Sequence, residues 1–266
     1  MINDLTIDLA ARGGKALVPF FTAGYPDEET FRELVKTADA AGADVIEIGV
    51  PFSDPIADGP LIQEASERAL QNGISLDRCL KLASELSKEI STPLLFMSYY
   101  NPILRLGIDQ FAKRAADAGV AGVILPDVSF EESKPARSAL RNRGLEYIDL
   151  VAPTSSDDRI EAIADTASGF LYLVSITGVT GDRSPVAKDV GEFAARVRTR
   201  SKLPLYVGFG ISSADDARAT VEHCDGVIIG SALIRMIKQG GASVVDPVQD
   251  FLREVKEAIS ARAGLV

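Results

Sequence analysis

Short apolar runs alternate along this chain with stretches of helical period. The runs are Leu17–Thr22, Val45–Val50, Pro93–Ser98, Gly122–Leu125, Glu146–Val151, Phe170–Ser175, Leu205–Gly208 and Gly226–Ile229. Each is bounded by Gly, Pro or Asp, and many are rich in Val and Ile, as strands buried on both faces of a parallel sheet should be. Between them, Phe31, Leu34, Val35, Ala38 and Ala41 follow helical spacing, with Asp27 as N-cap and Gly42 as stop. A second stripe, Leu76, Cys79, Leu80, Ala83 and Leu86, is opened by Ser75 after Gly73. Eight strand runs joined by helices predict an α/β fold, a closed (β/α)8 TIM barrel forming one domain over residues 1–266. A doubly wound open sheet is the alternative. In either architecture the chemistry sits at the carboxyl ends of the strands.

Composition narrows the class. With 46% hydrophobic and 25% charged residues, the chain reads as globular, not disordered or fibrous. The balance of 28 basic against 38 acidic side chains, a net charge of −10, argues against general affinity for nucleic acid or an anionic membrane. No apolar run approaches the ~18–20 residues of a membrane span. Met1–Leu5 lacks the basic start and apolar stretch of a signal peptide, so a cytoplasmic location is expected. Two cysteines are too few for a disulfide framework, and one histidine cannot build a His-based metal site, so no metal is expected.

Candidate chemistry concentrates in Asp44–Pro60. Side chains alternate along a strand, so if Ile46 and Ile48 pack under helices, Glu47 projects into the barrel near its catalytic end. A carboxylate in apolar surroundings costs several kcal/mol unless paired or protonated, and its pKa rises. That environment suits a general acid/base; a Glu paired with an Arg or a hydroxyl is the alternative. Asp54 and Asp58 follow in a loop with three prolines and a glycine. Carboxylates there are usually turn formers, but Asp58 would set a second carboxylate near Glu47.

Two later glycine turns, Gly208–Ser213 and Gly230-Ser231, close the seventh and eighth runs. Barrels bind phosphate between these loops with backbone N–H groups and a helix N-terminus; ordinary turns capped by Ser212 and Ser231 are the alternative. A third turn, Thr177–Gly181, leads into a polar stretch through Lys188, read as a lid or as an inert loop. No lysine lies within the strand runs to serve a Schiff-base aldolase. His223 reads as structural, and Cys79 and Cys224 as packed thiols.

Pro19-Phe20, the run Glu47–Pro60, Leu125-Pro-Asp127, Ser175–Gly181, Gly208–Ser212 and Gly230-Ser231 together resemble the tryptophan synthase alpha chain family, in order through nearly the whole chain. The stretch from Glu47 to Pro60 is the specific part. The resemblance implies a barrel that cleaves indole-3-glycerol phosphate to indole and glyceraldehyde 3-phosphate. It makes Glu47 the acid/base that protonates indole C3 and takes the glycerol hydroxyl proton, and makes Asp58 the acceptor of the indole N–H. Tyr172 would position Glu47 and substrate, and Phe20 and Phe209 would line the indole slot. Donors around Thr180, Gly181, Gly210, Gly230 and Ser231 would hold the phosphate. The resemblance also implies a β chain carrying pyridoxal phosphate in an αββα assembly, met by Asp54, Pro55, Asn101 and Asp127, with no cofactor in this chain. Ile176 and Thr177 stand where some members carry a polar pair before Gly178. Two further readings are a stand-alone lyase on the same barrel and a ligand-binding barrel that chiefly activates a partner.

Overall fold

Helices α2 (Glu28–Ala40) and α4 (Leu76–Leu86) begin where capping chemistry puts them: the Asp27 and Ser75 side chains accept from the N–H groups of Thr30 and Arg78. Gly42, at φ +86°, supplies the left-handed turn after α2. The computed structural model describes residues 2–174, 183–208, 210–240 and 243–260, with backbone alone for 183–189.

The strands are β1 (Ala16–Thr22), β2 (Ile46–Gly49), β3 (Leu94–Met97), β4 (Val120–Ile124), β5 (Glu146–Tyr147), β6 (Asp149–Val151), β7 (Leu171–Leu173), β8 (Leu205–Val207) and β9 (Gly226–Ile229). Their order in the sheet is β5-β4-β3-β2-β1-β9-β8-β7-β6, with every pairing parallel. β5 and β6 are the two halves of the expected fifth run, interrupted only at Ile148, whose N–H still donates to Val123 O at 3.0 Å. The two ends of the order therefore meet in one extended segment, and the sheet closes on itself as a TIM barrel. The doubly wound alternative fails because β1 lies between its sequence neighbour β2 and the last strand, β9.

Alternation sorts the strand residues into two layers. Ile46 and Ile48 join Leu34, Val35 and Ala38 of α2 in the layer between sheet and helices. Ala16, Val18, Val45, Leu95, Ile124, Ile148, Phe170, Tyr206 and Ile228 form the barrel interior. Helix α1 (Ile2–Ala11), which no sequence pattern announces, closes the amino-terminal end of that interior through Ile2, Leu5 and Leu9. It is fastened at Gly169, whose N–H donates to Asn3 Oδ1 at 2.9 Å and whose carbonyl accepts from Thr6 Oγ1 at 2.8 Å.

Two expectations change. Arg183–Lys188, expected as the second half of a loop, opens helix α9 (Arg183–Arg198); Pro185 is tolerated there because first-turn N–H groups have no intrahelical partner. Ser213, not Ser212, caps α10 (Ala214–Val221), accepting from Asp216 N–H, and Ser231 is the first residue of α11 (Ser231–Gly240) instead of its cap. Ser212 instead donates from its backbone N–H and its hydroxyl to Asp216 Oδ2.

One outer-layer contact has a large stability consequence. Arg137, on α7 (Lys134–Arg141), holds Asp149 of β6 through two bonds of 2.8 and 2.6 Å, over the Tyr147 ring at 4.4 Å. Both residues are buried. Asp149→Ala leaves a buried guanidinium without its counter-charge and is expected to cost ~3–5 kcal/mol, a fall of about 10 °C in melting temperature for a chain of this size. Thermal unfolding checks it; a fall under about 2 °C would mean the pair contributes no net electrostatic energy.

Candidate active site

Glu47 stands in the middle of β2, level with Phe20 of β1 and Leu95 of β3. Because Ile46 and Ile48 take the outer layer, its side chain enters the barrel interior, where it is fully buried. Among the described residues neither of its carboxyl oxygens has a hydrogen-bond partner. Burial first, and the nearby charge of Asp58 second, push its pKa up to about 8. Among the described residues no Arg or hydroxyl pairs with it, which favours the acid/base reading over a Glu paired in the core.

The layer above Glu47 alternates rings with glycines. Phe20 lies over Gly49: a Cβ on that glycine would sit 2.5 Å from the ring. Tyr172 of β7 lies over Gly208, where a Cβ would come within 2.3 Å of the phenol oxygen. Gly230 follows β9 beside Phe20 and Ile62, at 3.5 and 3.7 Å from such a Cβ. Gly49 and Gly208 leave the room that the Phe20 and Tyr172 rings occupy. The Tyr172 phenol is held protonated, its pKa driven far up by burial and then by the charges of Glu47 and Asp58, so all three groups are in electrostatic reach of one another.

Asp58 lies in the loop between β2 and α3 (Pro60–Gln71). Burial pushes its pKa up to about 6, opposed by a hydrogen bond from Tyr99. It lines a pocket with Phe20, Thr22, Gly49, Ile62 and Tyr99. Thr22 is buried, and its hydroxyl has no partner among the described residues. Gln63, on α3, braces the loop by donating from Nε2 to Asp58 O at 2.9 Å.

Gly210 and the first turn of α11 with Gly230 and Ser231 lie at the same end of the barrel, after β8 and β9. Gly210 has φ +73°, a conformation that side chains disfavour. The opening N–H groups of α11 have no intrahelical acceptors and point where an anion is favoured. Thr180, Gly181 and Phe209, together with residues 177–182 of the expected lid, lie outside the described residues.

Asp54 and Asn101 are exposed and Pro55 is half-buried at the mouth. Asp127, also exposed, accepts the N–H of Tyr100 at 3.0 Å on both oxygens, capping α5 (Tyr100–Leu106). Beside these residues Ile56 is 84% exposed and Leu104 55% exposed. Both cysteines are buried with thiols pushed up to about 12, which excludes them as nucleophiles at neutral pH. His223 is an exposed turn residue, its ring packed against Gly191 of α9. Among the described residues no three His, Cys, Asp or Glu side chains gather as a metal set, and no helix is long and apolar enough to cross a membrane.

Tyr99, Gln63 and Thr22 are the site residues that sequence reasoning missed. A tyrosine one residue past the third apolar run, at the carboxyl end of a barrel strand, is the signal that could have found Tyr99.

The profile of the family described as tryptophan synthase alpha chain matches residues 7–260. The tryptophan synthase alpha chain of a Picosynechococcus strain is 47% identical over 254 residues, covering 95% of this chain and 96% of that one. That of a Roseiflexus strain is 47% identical over 251 residues, covering 93% and 96%. Among solved structures, tryptophan synthase subunit alpha from Legionella pneumophila superposes with a TM-score of 0.90 at 37% identity, covering 97% of each chain.

Proposed function

The chain belongs to the tryptophan synthase alpha chain family, and from that membership we propose that it cleaves indole-3-glycerol phosphate to indole and glyceraldehyde 3-phosphate, a carbon–carbon lyase reaction. Membership itself gives a lyase-type role with a β chain as partner. The observation that carries the chemistry is the split between two neighbouring carboxyls, Glu47 near 8 and Asp58 near 6. At pH 7 one holds a proton while the other is ionised, the division of labour an acid and an electrostatic stabiliser require.

Glu47 gives its proton to indole C3, and the ring nitrogen becomes positive. Ionised Asp58 accepts the N–H and stabilises that charge. The Glu47 carboxylate then takes the proton of the glycerol hydroxyl next to the ring. The C–C bond breaks, its electron pair returns to the ring as neutral indole, the hydroxyl carbon becomes the aldehyde, and Glu47 is again protonated. Tyr172, whose phenol feels the charges of both carboxyls, helps position Glu47 and the substrate. Phe20 and Phe209 flank the indole, while Thr180, Gly181, Gly210, Gly230 and Ser231 donate to the phosphate, favoured by the N-terminus of α11. These steps use this chain's carboxyls alone; pyridoxal phosphate belongs to the β chain, and the cytoplasm is the compartment this reading assigns.

Membership of the family favours a subunit over a stand-alone enzyme; exposed Ile56 and Leu104, close in sequence to Pro55 and Asn101, are apolar side chains that a complex would cover. An αββα assembly is the form proposed. The test is indole release from indole-3-glycerol phosphate with and without added β chain. Cleavage stimulated at least ~10-fold by the partner is expected. Turnover indifferent to it would support the stand-alone lyase, and no cleavage in either case would leave only the activating barrel.

A further inference from the structure

We propose that Tyr99 is the positioning residue that sets the Asp58 carboxylate, binding Oδ2 through its phenol so that Oδ1 is left to accept the indole N–H. The inference rests on the reading of Asp58 above and deepens it. A carboxylate on an irregular loop turns about two side-chain torsions, whereas a working acceptor must be held to within about 10–20°. Gln63 anchors the Asp58 backbone but does not touch the carboxyl. The carboxyl itself is held by Tyr99, whose hydroxyl donates to Oδ2 at 3.1 Å.

The direction of that bond is not adjustable. The N–H of Ala57 donates to the same hydroxyl at 3.0 Å, and a backbone N–H can only donate. An ionised carboxylate can only accept, so the single hydroxyl hydrogen goes to Asp58 while the phenol oxygen accepts from Ala57. The ring is in turn stacked on Phe52 at a centroid distance of 5.1 Å and is 3% exposed. Tyr99 thus meets the β2–α3 loop at residues 52, 57 and 58. It is the N-cap residue of α5, whose first N–H is tied to Asp127 beyond β4. Two barrel strands and a helix start hold one phenol, and that phenol holds the carboxylate.

Tyr99→Phe, assayed in the full chain with its β partner, is expected to lower kcat ~10-fold near pH 6.5 and ~3-fold near pH 7.5, with KM changed less than ~2-fold. The acid limb of the pH–rate profile moves toward neutral because the phenol stabilises ionised Asp58 against burial; the alkaline limb, set by Glu47, stays. Site-specific replacement of Tyr99 by a fluorotyrosine, a stronger donor of nearly the same shape, moves the acid limb the other way. In an Asp58→Asn background, Tyr99→Phe is expected to cost no further activity, since its effect runs through the missing carboxylate. Carbon-13 NMR titration of Asp58 reads the same shift without turnover, and separates it from the substrate phosphate, which also titrates near ~6. Should the wild-type complex cleave nothing, the lyase reading falls while this titration still decides whether Tyr99 sets Asp58. An Asp58 titration unmoved in both Tyr99 variants, or a loss that is independent of pH and adds to that of Asp58→Asn, overturns the proposal.

Discussion

Glu47→Gln is expected to lower indole-3-glycerol phosphate cleavage by ~10³-fold, the loss typical of a removed general acid/base. Glutamine keeps the shape and neutral charge of protonated Glu47 but has no proton of suitable acidity for indole C3 and no basic form to take the hydroxyl proton. Binding of the phosphate ligand is expected to survive, so the loss appears in kcat, not KM. The wild-type profile is expected to be bell-shaped, rising through about 6 as Asp58 ionises and falling through about 8 as Glu47 loses its proton. Stability gives an independent sign. The folded pKa of Glu47 lies above the ordinary 4.5, so the folded state holds the extra proton between about 4.5 and 8. Glu47 therefore erodes stability as pH rises through that window. Glu47→Gln removes this slope, and its melting temperature at pH 8 is expected to equal or exceed that of the wild type. A variant that keeps turnover within ~10-fold would remove Glu47 from its role.

Asp58→Asn is expected to cost ~10²–10³-fold in kcat, the scale for loss of one preorganised electrostatic contact. The amide oxygen can still accept from Tyr99, but the amide nitrogen then faces the indole N–H, donor against donor, and the negative charge opposite the developing cation is gone. The same substitution has a measurable effect on Glu47. Asp58's charge is the second cause of its raised pKa, so the alkaline limb of the residual activity is expected to move down. An unchanged rate would point to another acceptor for the indole nitrogen, with Thr22, whose buried hydroxyl lacks a partner among the described residues, as the candidate to examine.

Much of this site was legible before folding was considered. The alternation Ile46-Glu47-Ile48 gave the direction of Glu47 because two isoleucines in one strand both demand the dry layer under the helices. Asp27 and Ser75 marked helix starts because capping is a local exchange between one side chain and an N–H three residues on. Ser212 misled for the same reason it attracted notice: Ser213 and Ser212 are both competent caps, and the adjacent Asp216 takes up the hydroxyl of one while its N–H goes to the other. The stretch from Arg183 read as loop because its polarity masks a helix that starts with a tolerated proline.

Local periodicity, caps and turn residues are determined by interactions over a few positions, and so the eight-run alternation, the inward Glu47 and the glycines of the mouth could be read from the chain alone. Closure that sets β1 beside β9, the plug formed by α1 and the phenol of Tyr99 on Asp58 depend on residues 41 to 210 positions apart meeting across the barrel. No pattern along the chain encodes such a meeting, because the partners are chosen by how strands stack and helices pack. The acidity of the two carboxyls is of this second kind: their identity lies in the sequence, but their burial, and with it the upward push on both pKa values, exists only once the barrel has closed.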